Sequence, residues 1–273
     1  MGNTVIAGRT VRVNGADLYH EIRGSGPPIL FIMGASGEGG VFQHVAERLS
    51  DMFTVVTYHR RGNSLSPRPD GWTRTSIDEQ ADDAAGLLRA LNLAPAVAFG
   101  TSMGAGILLN LMLRHPELLR GAIVHEPVMA HAVPSGAAFG AEIQAMVETG
   151  LATVGPRGTM EQFIRTVAGD VNFERLDPEL RERMVGNGEV FFFTELPAGV
   201  AYTPNAEEVA ACGVPAIATW GIQNPEPIFR ESAAWVATSL GTSMQEFPGA
   251  HTPYLDHPAE LASAIRAFVQ GLA

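Results

Sequence analysis

Cysteine, long apolar runs and positive charge are all scarce in this chain of 273 residues. Its single cysteine, Cys212, cannot form a disulfide within the chain and leaves no cysteine-rich metal site. Because no run of about 18 apolar residues is present, we expect no membrane-spanning helix. The formal net charge of −11 argues against binding to nucleic acid or to anionic membranes, whose phosphates would be repelled.

The amino-terminal residues 1–9 lack the charged and then apolar pattern of a secretion signal. With the single cysteine, this makes a reducing cytoplasm the expected compartment. Apolar residues make up 46% of the chain, which is ample for one large core, with or without an insertion. No motif implies a metal or an organic cofactor, and we expect neither.

Short apolar runs alternate with helical patterns along most of the chain. The alternation around Asn14-Gly15 predicts a β-hairpin over residues 11–22. Further buried strands are predicted over residues 28–33, 53–58, 94–99, 121–125, 214–220 and 243–247, and helices over residues 42–49, 76–92, 107–114 and 258–272. The predicted fold class is therefore α/β, a mostly parallel eight-stranded sheet with helices on both faces.

The pattern changes between residues 128 and 204. Helical stretches over residues 137–148, 159–168 and 178–185 are joined by Gly, Pro and Asp, and no buried strand is visible there. We interpret this region as a helical lid inserted after the sixth strand. The predicted division is a core domain of residues 1–127 and 205–273, with a lid domain of residues 128–204.

A Gly-x-Ser-x-Gly motif at residues 100–104 joins a predicted strand to a predicted helix. A serine at the apex of so tight a turn is held in a strained conformation, and glycines are needed where neighbouring chains crowd the turn. The helix behind it favours developing negative charge at its N-terminus. Ser102 is therefore the candidate nucleophile.

A serine nucleophile needs a base, and a carboxylate that orients the base. His251, on the loop after the last strand, is the candidate base. For the acid the sequence offers two places. After the strand at 214–220, Asn224 stands where an aspartate is expected, with Glu226 two residues further on; after the strand at 121–125 stands Glu126. We favour Glu126, because its strand neighbours the serine strand, and keep Glu226 as the alternative.

The oxyanion of an acyl-transfer reaction is held by backbone N–H groups. One candidate is the N–H of Met103, directly after the nucleophile. The other lies in the loop after the first buried strand, at Ala35 or at Gly34. A phosphate-binding role for the glycines at 37–40 is less favoured, because Glu38 would repel a phosphate.

These motifs, in the order Ser, Glu, His, resemble the α/β-hydrolase fold superfamily over nearly the whole chain. Met33-Gly34 stands where the superfamily usually has His-Gly, and His59 stands where an Asp usually opens the segment at 59–64. Residues 123–127 and 248–258 also resemble the zearalenone lactonase group, in which the acid likewise follows the sixth strand.

The lactonase resemblance implies a large apolar macrocycle bound between core and lid. It implies that Phe191 contacts the substrate, and Ser36 and Pro127 are further candidates for substrate binding. Glu195 stands where that group would have an aromatic residue.

The predicted function is a serine hydrolase that cleaves a carboxylic ester or lactone through an acyl-enzyme, with zearalenone as one candidate substrate. The alternatives are carbon–carbon bond hydrolysis, cofactor-free haloperoxidase-type chemistry, or a non-catalytic ligand-binding protein on the same fold. The expected partner is a small apolar ester or lactone, with neither nucleic acid nor membrane. A homodimer is left open.

Overall fold

The computed structural model describes residues 5–272, with side chains from residue 8 onwards. Residues 1–4 and 273, which the predicted core domain includes, lie outside the described residues. The strands lie close to their predicted positions, although β1 begins earlier than the alternation indicates. They are β1 (Val5–Val13), β2 (Ala16–Arg23), β3 (Pro28–Ile32), β4 (Thr54–Tyr58), β5 (Ala96–Thr101), β6 (Leu119–His125), β7 (Ala216–Gly221) and β8 (Gln245–Phe247).

All eight strands form one sheet, in the order β1-β2-β4-β3-β5-β6-β7-β8. β2 pairs antiparallel with β1 and with β4, and every other neighbouring pair is parallel. β5 is buried along its whole length, because both faces of the sheet are covered there. The predicted eight-stranded, mostly parallel sheet is confirmed.

Thirteen α-helices accompany the sheet within residues 5–272, together with two short 3₁₀ helices and one π-helix. The α-helices are α1 (Gln43–Leu49), α2 (Ile77–Ala90), α3 (Met103–Arg114), α4 (Gly136–Thr153), α5 (Gly155–Ala168), α6 (Asp170–Arg175), α7 (Pro178–Gly186), α8 (Gly188–Val190), α9 (Leu196–Ala201), α10 (Ala206–Ala211), α11 (Pro227–Ser239), α12 (Pro253–Asp256) and α13 (Pro258–Gly271). The 3₁₀ helices span Gly39–Phe42 and Pro116–Leu118, and the π-helix spans Phe191–Glu195.

The helices divide between the two faces of the sheet. Alternate strand residues pack against α2, α3 and α11 on one face and against α1 and α13 on the other. Six α-helices (α6, α8, α9, α10, α11 and α12) are absent from the predictions. The buried face of α11 includes Ser232 and Ala233, whose small side chains give a weak helical signal in the sequence.

The chain between β6 and β7 contributes no strand to the sheet. We call residues 136–201, from the first residue of α4 to the last residue of α9, the helical segment. Many of its buried apolar residues belong to the same core cluster as α1 and α13. Within residues 5–272 no helix combines the length and the apolar character needed to cross a membrane.

Candidate active site

Ser102 lies at the turn between β5 and α3, with φ of 56° and ψ of −128°. A positive φ in a residue with a side chain is uncommon and concentrates at functional sites. Its backbone N–H donates to the carbonyl of His125 at 3.1 Å, so the turn is held against the end of β6. The strained turn expected for a nucleophilic serine is present.

The glycines around Ser102 are required by close packing. A Cβ on Gly100 would lie 2.5 Å from the carbonyl oxygen of Gly104, and a Cβ on Gly104 would lie 2.3 Å from that of Ile32. On the facing loop, a Cβ on Gly34 would lie 2.8 Å from the Cβ of Ser102. The turn therefore packs directly against the end of β3 and the loop that follows it.

The structure brings Glu126 and His251 together. His251 lies after β8, and its Nδ1 is 2.6 Å from Glu126 Oε2. Glu126 directly follows β6, has a φ of 45° and is fully buried. The His251 ring packs on the ring of Phe229, with centroids 4.2 Å apart and the two planes tilted by 30°. A carboxylate in this position fixes the tautomer and orientation of an imidazole.

Further donors bind the Glu126 carboxylate. The backbone N–H of Gly221 donates to Oε1 at 2.8 Å, and Asn224 Nδ2 donates to Oε2 at 2.7 Å. Asn224, which stands where an aspartate is expected, therefore supports the carboxylate on the neighbouring strand. Glu226, the alternative acid, contacts this group through its backbone N–H, which donates to Asn224 Oδ1 at 3.0 Å.

The electrostatics of this cluster favour an ionised carboxylate. Burial alone raises the pKa of Glu126, but the hydrogen bond and charge of His251 and the N–H of Gly221 outweigh it, so the pKa lies below its ordinary value. Burial lowers the pKa of the adjacent His125 to about 4. His125 is therefore a neutral ring near pH 7, stacked between Phe99 and Phe247.

The loop after β3, residues 33–38, faces the Ser102 turn; we call it the β3 loop. Met33, Ala35 and Ser36 line the same cavity as Ser102 and His251. Ser36 has a φ of 70°, and its buried hydroxyl has no hydrogen-bond partner within the described part of the chain. The predicted oxyanion and substrate-binding candidates Ala35 and Ser36 are thus at the cavity.

The cavity is small, with a volume of about 30 Å³, and it is partly open to solvent. Its lining contains no Asp, Glu, Lys or Arg side chain. The helical segment supplies Phe163, Ile164, Val167, Ala168 and Met184, and the core adds Thr252, Tyr254 and Leu255 to the residues already named. Among residues 5–272, no three His, Cys, Asp or Glu side chains form a group that could hold a metal ion.

Two predicted substrate contacts do not line this cavity. Phe191 is buried in the helical segment, where its ring packs on Phe163 at 5.3 Å between centroids. Phe191 therefore packs against Phe163, which lines the cavity, and does not line it itself. Pro127 follows Glu126 and is buried, but it too is outside the lining of the cavity.

Comparison with known proteins identifies the family. A family model described as alpha/beta hydrolase fold matches residues 27–258. The chain belongs to this family. It is 30% identical over 265 residues to the uncharacterized hydrolase YraK of Bacillus subtilis (strain 168), covering 96% of this chain and 95% of that protein. It is 25% identical over 260 residues to a zearalenone hydrolase of Bionectria ochroleuca, covering 92% and 93%.

The fold of this alpha/beta hydrolase is also that of a solved enol-lactonase from Burkholderia xenovorans LB400. The TM-score is 0.79 at 18% identity, over 96% of this chain and 100% of that chain. Similarity at this identity establishes a shared fold.

Sequence reasoning missed several polar residues of this alpha/beta hydrolase that surround the β3 loop. Arg60 is fully buried and bonds to both Glu195 and the carbonyl of Gly34. Asn187 Nδ2 donates to the carbonyl of Ser36 at 2.6 Å. Glu195 could have been found as a lone acid following the apolar triplet at 191–193, which requires a buried partner.

One departure from the superfamily pattern also has a physical explanation. His59 stands where an Asp is usual, and its Nε2 lies 2.8 Å from the buried carboxylate of Glu38. Burial raises the pKa of Glu38, but the hydrogen bonds and charge of His59 and Arg183 outweigh it and lower the pKa to about 2. His59 therefore stands in place of the usual Asp, and the carboxylate beside it comes from Glu38 of the β3 loop.

Proposed function

We propose that this protein is a serine hydrolase that cleaves a neutral, apolar carboxylic ester or lactone through an acyl-enzyme. The observation that carries the proposal is the hydrogen bond between His251 Nδ1 and the buried Glu126 carboxylate, on the same cavity as the strained Ser102. Because Nδ1 is bound to the carboxylate, Nε2 is the nitrogen available to accept a proton from Ser102.

In the first half-reaction, the Oγ of Ser102 attacks the substrate carbonyl carbon while His251 takes its proton. The carbonyl oxygen becomes an oxyanion, which accepts hydrogen bonds from the backbone N–H groups of Met103 and Ala35. The bond to the leaving oxygen then breaks, and His251 returns the proton to the alkoxide. Glu126 stabilises the intermediate imidazolium.

In the second half-reaction, water attacks the acyl-enzyme, again with His251 as the base. The bond between the acyl carbon and Ser102 breaks, and the serine recovers its proton. For a lactone the leaving oxygen stays attached to the acyl chain, so that the product is a single hydroxy acid.

The apolar cavity lining supports a neutral substrate, since no Lys or Arg side chain lines the cavity to bind a carboxylate group. Similarity to a zearalenone hydrolase over nearly the full length supports a lactone as one candidate. We also propose that residues 128–204 act as the lid of the site, because Phe163 and Met184 in that region line the cavity.

A fluorophosphonate probe tests the nucleophile, with Ser102→Ala as the matched variant. We expect covalent labelling of Ser102 in the wild type and none in Ser102→Ala, with loss of about 10³-fold or more in turnover of p-nitrophenyl butyrate. An unlabelled wild type with no turnover on p-nitrophenyl esters or macrocyclic lactones would contradict the proposal. In that case the alternative functions to test next are carbon–carbon bond hydrolysis, haloperoxidase-type chemistry and ligand binding.

A further inference from the structure

We propose that Arg60 is a positioning residue for the oxyanion hole, and that it acts through the peptide group between Gly34 and Ala35. This inference rests on the proposed function, in which the Ala35 N–H binds the oxyanion. It adds a residue that contacts neither the nucleophile nor the base. It also gives the helical segment a role in orienting the oxyanion hole, because that segment carries the Glu195 side chain that binds Arg60.

The guanidinium of Arg60 is fully buried and makes three hydrogen bonds. Nη2 donates to the carbonyl oxygen of Gly34 at 2.8 Å. Nη1 and Nη2 donate to the two carboxylate oxygens of Glu195 at 2.7 and 2.8 Å, in a bidentate pair. Asn63 Nδ2 adds a third hydrogen bond to Glu195, at 2.8 Å to Oε1. The planar guanidinium is therefore fixed in orientation at the back of the β3 loop.

The carbonyl that Arg60 binds belongs to the same peptide group as the Ala35 N–H. A trans peptide is planar, and its C=O and N–H point in opposite directions. A donor fixed on the Gly34 oxygen therefore sets the direction in which the Ala35 N–H points. The positive charge also polarises the amide, which strengthens its N–H as a donor to an anion.

Arg60 reaches this position because two further contacts hold the loop around it. Its own backbone N–H donates to the carbonyl of Gly37 at 2.9 Å, and the N–H of Gly37 donates to the Gly34 oxygen at 3.1 Å. The Gly34 carbonyl thus accepts two hydrogen bonds. Rotation of the peptide group would break both of them.

The carboxylate that holds Arg60 comes from the helical segment. Glu195 is the last residue of the π-helix at Phe191–Glu195 and is 1% exposed. π-Helical turns are rare and are frequent at functional sites. Because the Glu195 carboxylate is buried, it needs a cationic partner.

The neighbouring Arg61 provides a comparison within the same chain. It too is buried and makes a bidentate pair, with Asp83 of α2 at 2.6 and 2.9 Å. Nη2 also donates to the carbonyl of Asn14 in the hairpin, and Nη1 lies 3.4 Å from Glu79 Oε1. None of these side-chain contacts is to the β3 loop. The two arginines therefore separate the effect of losing a buried ion pair from the effect of losing the Gly34 contact.

The test compares two double variants in the full-length protein, Arg60→Met/Glu195→Gln and Arg61→Met/Asp83→Asn. Each removes both charges of its pair, because a single substitution would leave an unpaired buried charge. Circular dichroism and thermal unfolding establish that each variant is folded. The kcat and KM for p-nitrophenyl butyrate and the affinity for an alkyl trifluoromethyl ketone, which forms a tetrahedral oxyanion, are then measured.

We expect Arg60→Met/Glu195→Gln to lower kcat by about 10- to 100-fold with little change in KM, since loss of one oxyanion donor costs about 10²- to 10³-fold. Affinity for the ketone should fall by a similar factor. Arg61→Met/Asp83→Asn should keep kcat within about threefold, because this ion pair has no contact with the peptide group that binds the oxyanion.

A folded Arg60→Met/Glu195→Gln variant with near wild-type kcat would overturn the inference, as would equal losses in both double variants. If that variant folds poorly, Arg60→Lys replaces it, since lysine keeps the charge but not the fork that reaches both Glu195 and Gly34. An unchanged kcat in Arg60→Lys would then overturn the inference. A wild type that is not labelled at Ser102 instead refutes the proposed function, and this inference with it.

Discussion

The two halves of the candidate site are supported by different parts of the molecule. On one side, which we call the base half, Glu126 and His251 are held by groups at the ends of β6 and β7, including Gly221 and Asn224. On the other side, the β3 loop is bound by side chains of the helical segment. These are Arg183 on Glu38, Asn187 on the Ser36 carbonyl, and Glu195 through Arg60.

The proposed reaction has two requirements, proton transfer and oxyanion binding, and each depends on a different half of the site. The hydrogen bonds of the base half come from groups that follow neighbouring strands of the parallel sheet. In our inference about Arg60, the Gly34–Ala35 peptide is oriented with the help of the helical segment, which supplies Glu195. Substitutions in the base half should therefore act on proton transfer, and substitutions in the helical segment should act on oxyanion binding.

The largest effect is expected for Glu126→Gln, which tests the base half directly. An amide cannot stabilise the imidazolium by charge and presents the wrong hydrogen-bonding group to Nδ1. We expect kcat/KM for p-nitrophenyl butyrate to fall by about 10³- to 10⁴-fold, with the fold retained. The retained fold is checked by circular dichroism.

Glu226→Gln is the matched control for this variant. The Glu226 side chain has no hydrogen bond to His251, so its kcat/KM should stay within about twofold of the wild type. The reverse result, with activity lost in Glu226→Gln and kept in Glu126→Gln, would make Glu226 the triad acid.

Much of the base half could be predicted from the sequence, because it depends on where buried strands end. The Gly-x-Ser-x-Gly turn, Glu126 after an apolar strand and His251 after the last strand are each visible as local patterns. Asn224 also stands out in the sequence, because an aspartate is expected at its position. Its hydrogen bond to Glu126 depends on the alignment of β6 beside β7, which no local pattern contains.

The supports of the β3 loop could not be predicted in the same way. Arg60 and Glu195 are 135 residues apart in sequence, and the helical segment that carries Glu195 has no strand register to place its side chains. The position of Phe191 likewise depends on how the helical segment packs. The resemblance implies contact with substrate, whereas the packing of the helical segment places Phe191 behind Phe163.

The second prediction concerns acid stability of the base half. Burial lowers the pKa of His125 to about 4, below its ordinary value of 6.5. The unfolded chain therefore binds a proton first as pH falls, and the stability contributed by the neutral ring is lost between these two values. The contribution amounts to about 3 kcal/mol at pH values above both.

His125→Phe removes this titration while keeping a ring between Phe99 and Phe247. The free energy of unfolding in urea is measured for both proteins at about pH 7 and at about pH 4. Its decrease between these pH values should be about 3 kcal/mol smaller for His125→Phe than for the wild type. The exposed His44→Gln serves as the control and should follow the wild-type profile. Parallel profiles for wild type and His125→Phe would contradict the prediction.

The smallest effect is expected for Asn187→Ala, which weakens the docking of the helical segment on the β3 loop. Asn187 donates to the Ser36 carbonyl at 2.6 Å, and its Oδ1 accepts from the N–H of Ser64 at 2.7 Å. Loss of the bond to the β3 loop costs about 1 kcal/mol. A loss of that size in transition-state stabilisation corresponds to a fall in kcat of about three- to tenfold.

Asn172→Ala is the matched control in the same segment, since its Nδ2 bonds to Ala168 and Asp256 and not to the β3 loop. We expect its kcat and its affinity for the trifluoromethyl ketone to match the wild type. If Asn187→Ala instead raises KM and leaves kcat and ketone affinity unchanged, the helical segment acts on substrate binding alone. The β3 loop would then be as independent of the segment as the base half is, and the contrast between the two halves would not hold.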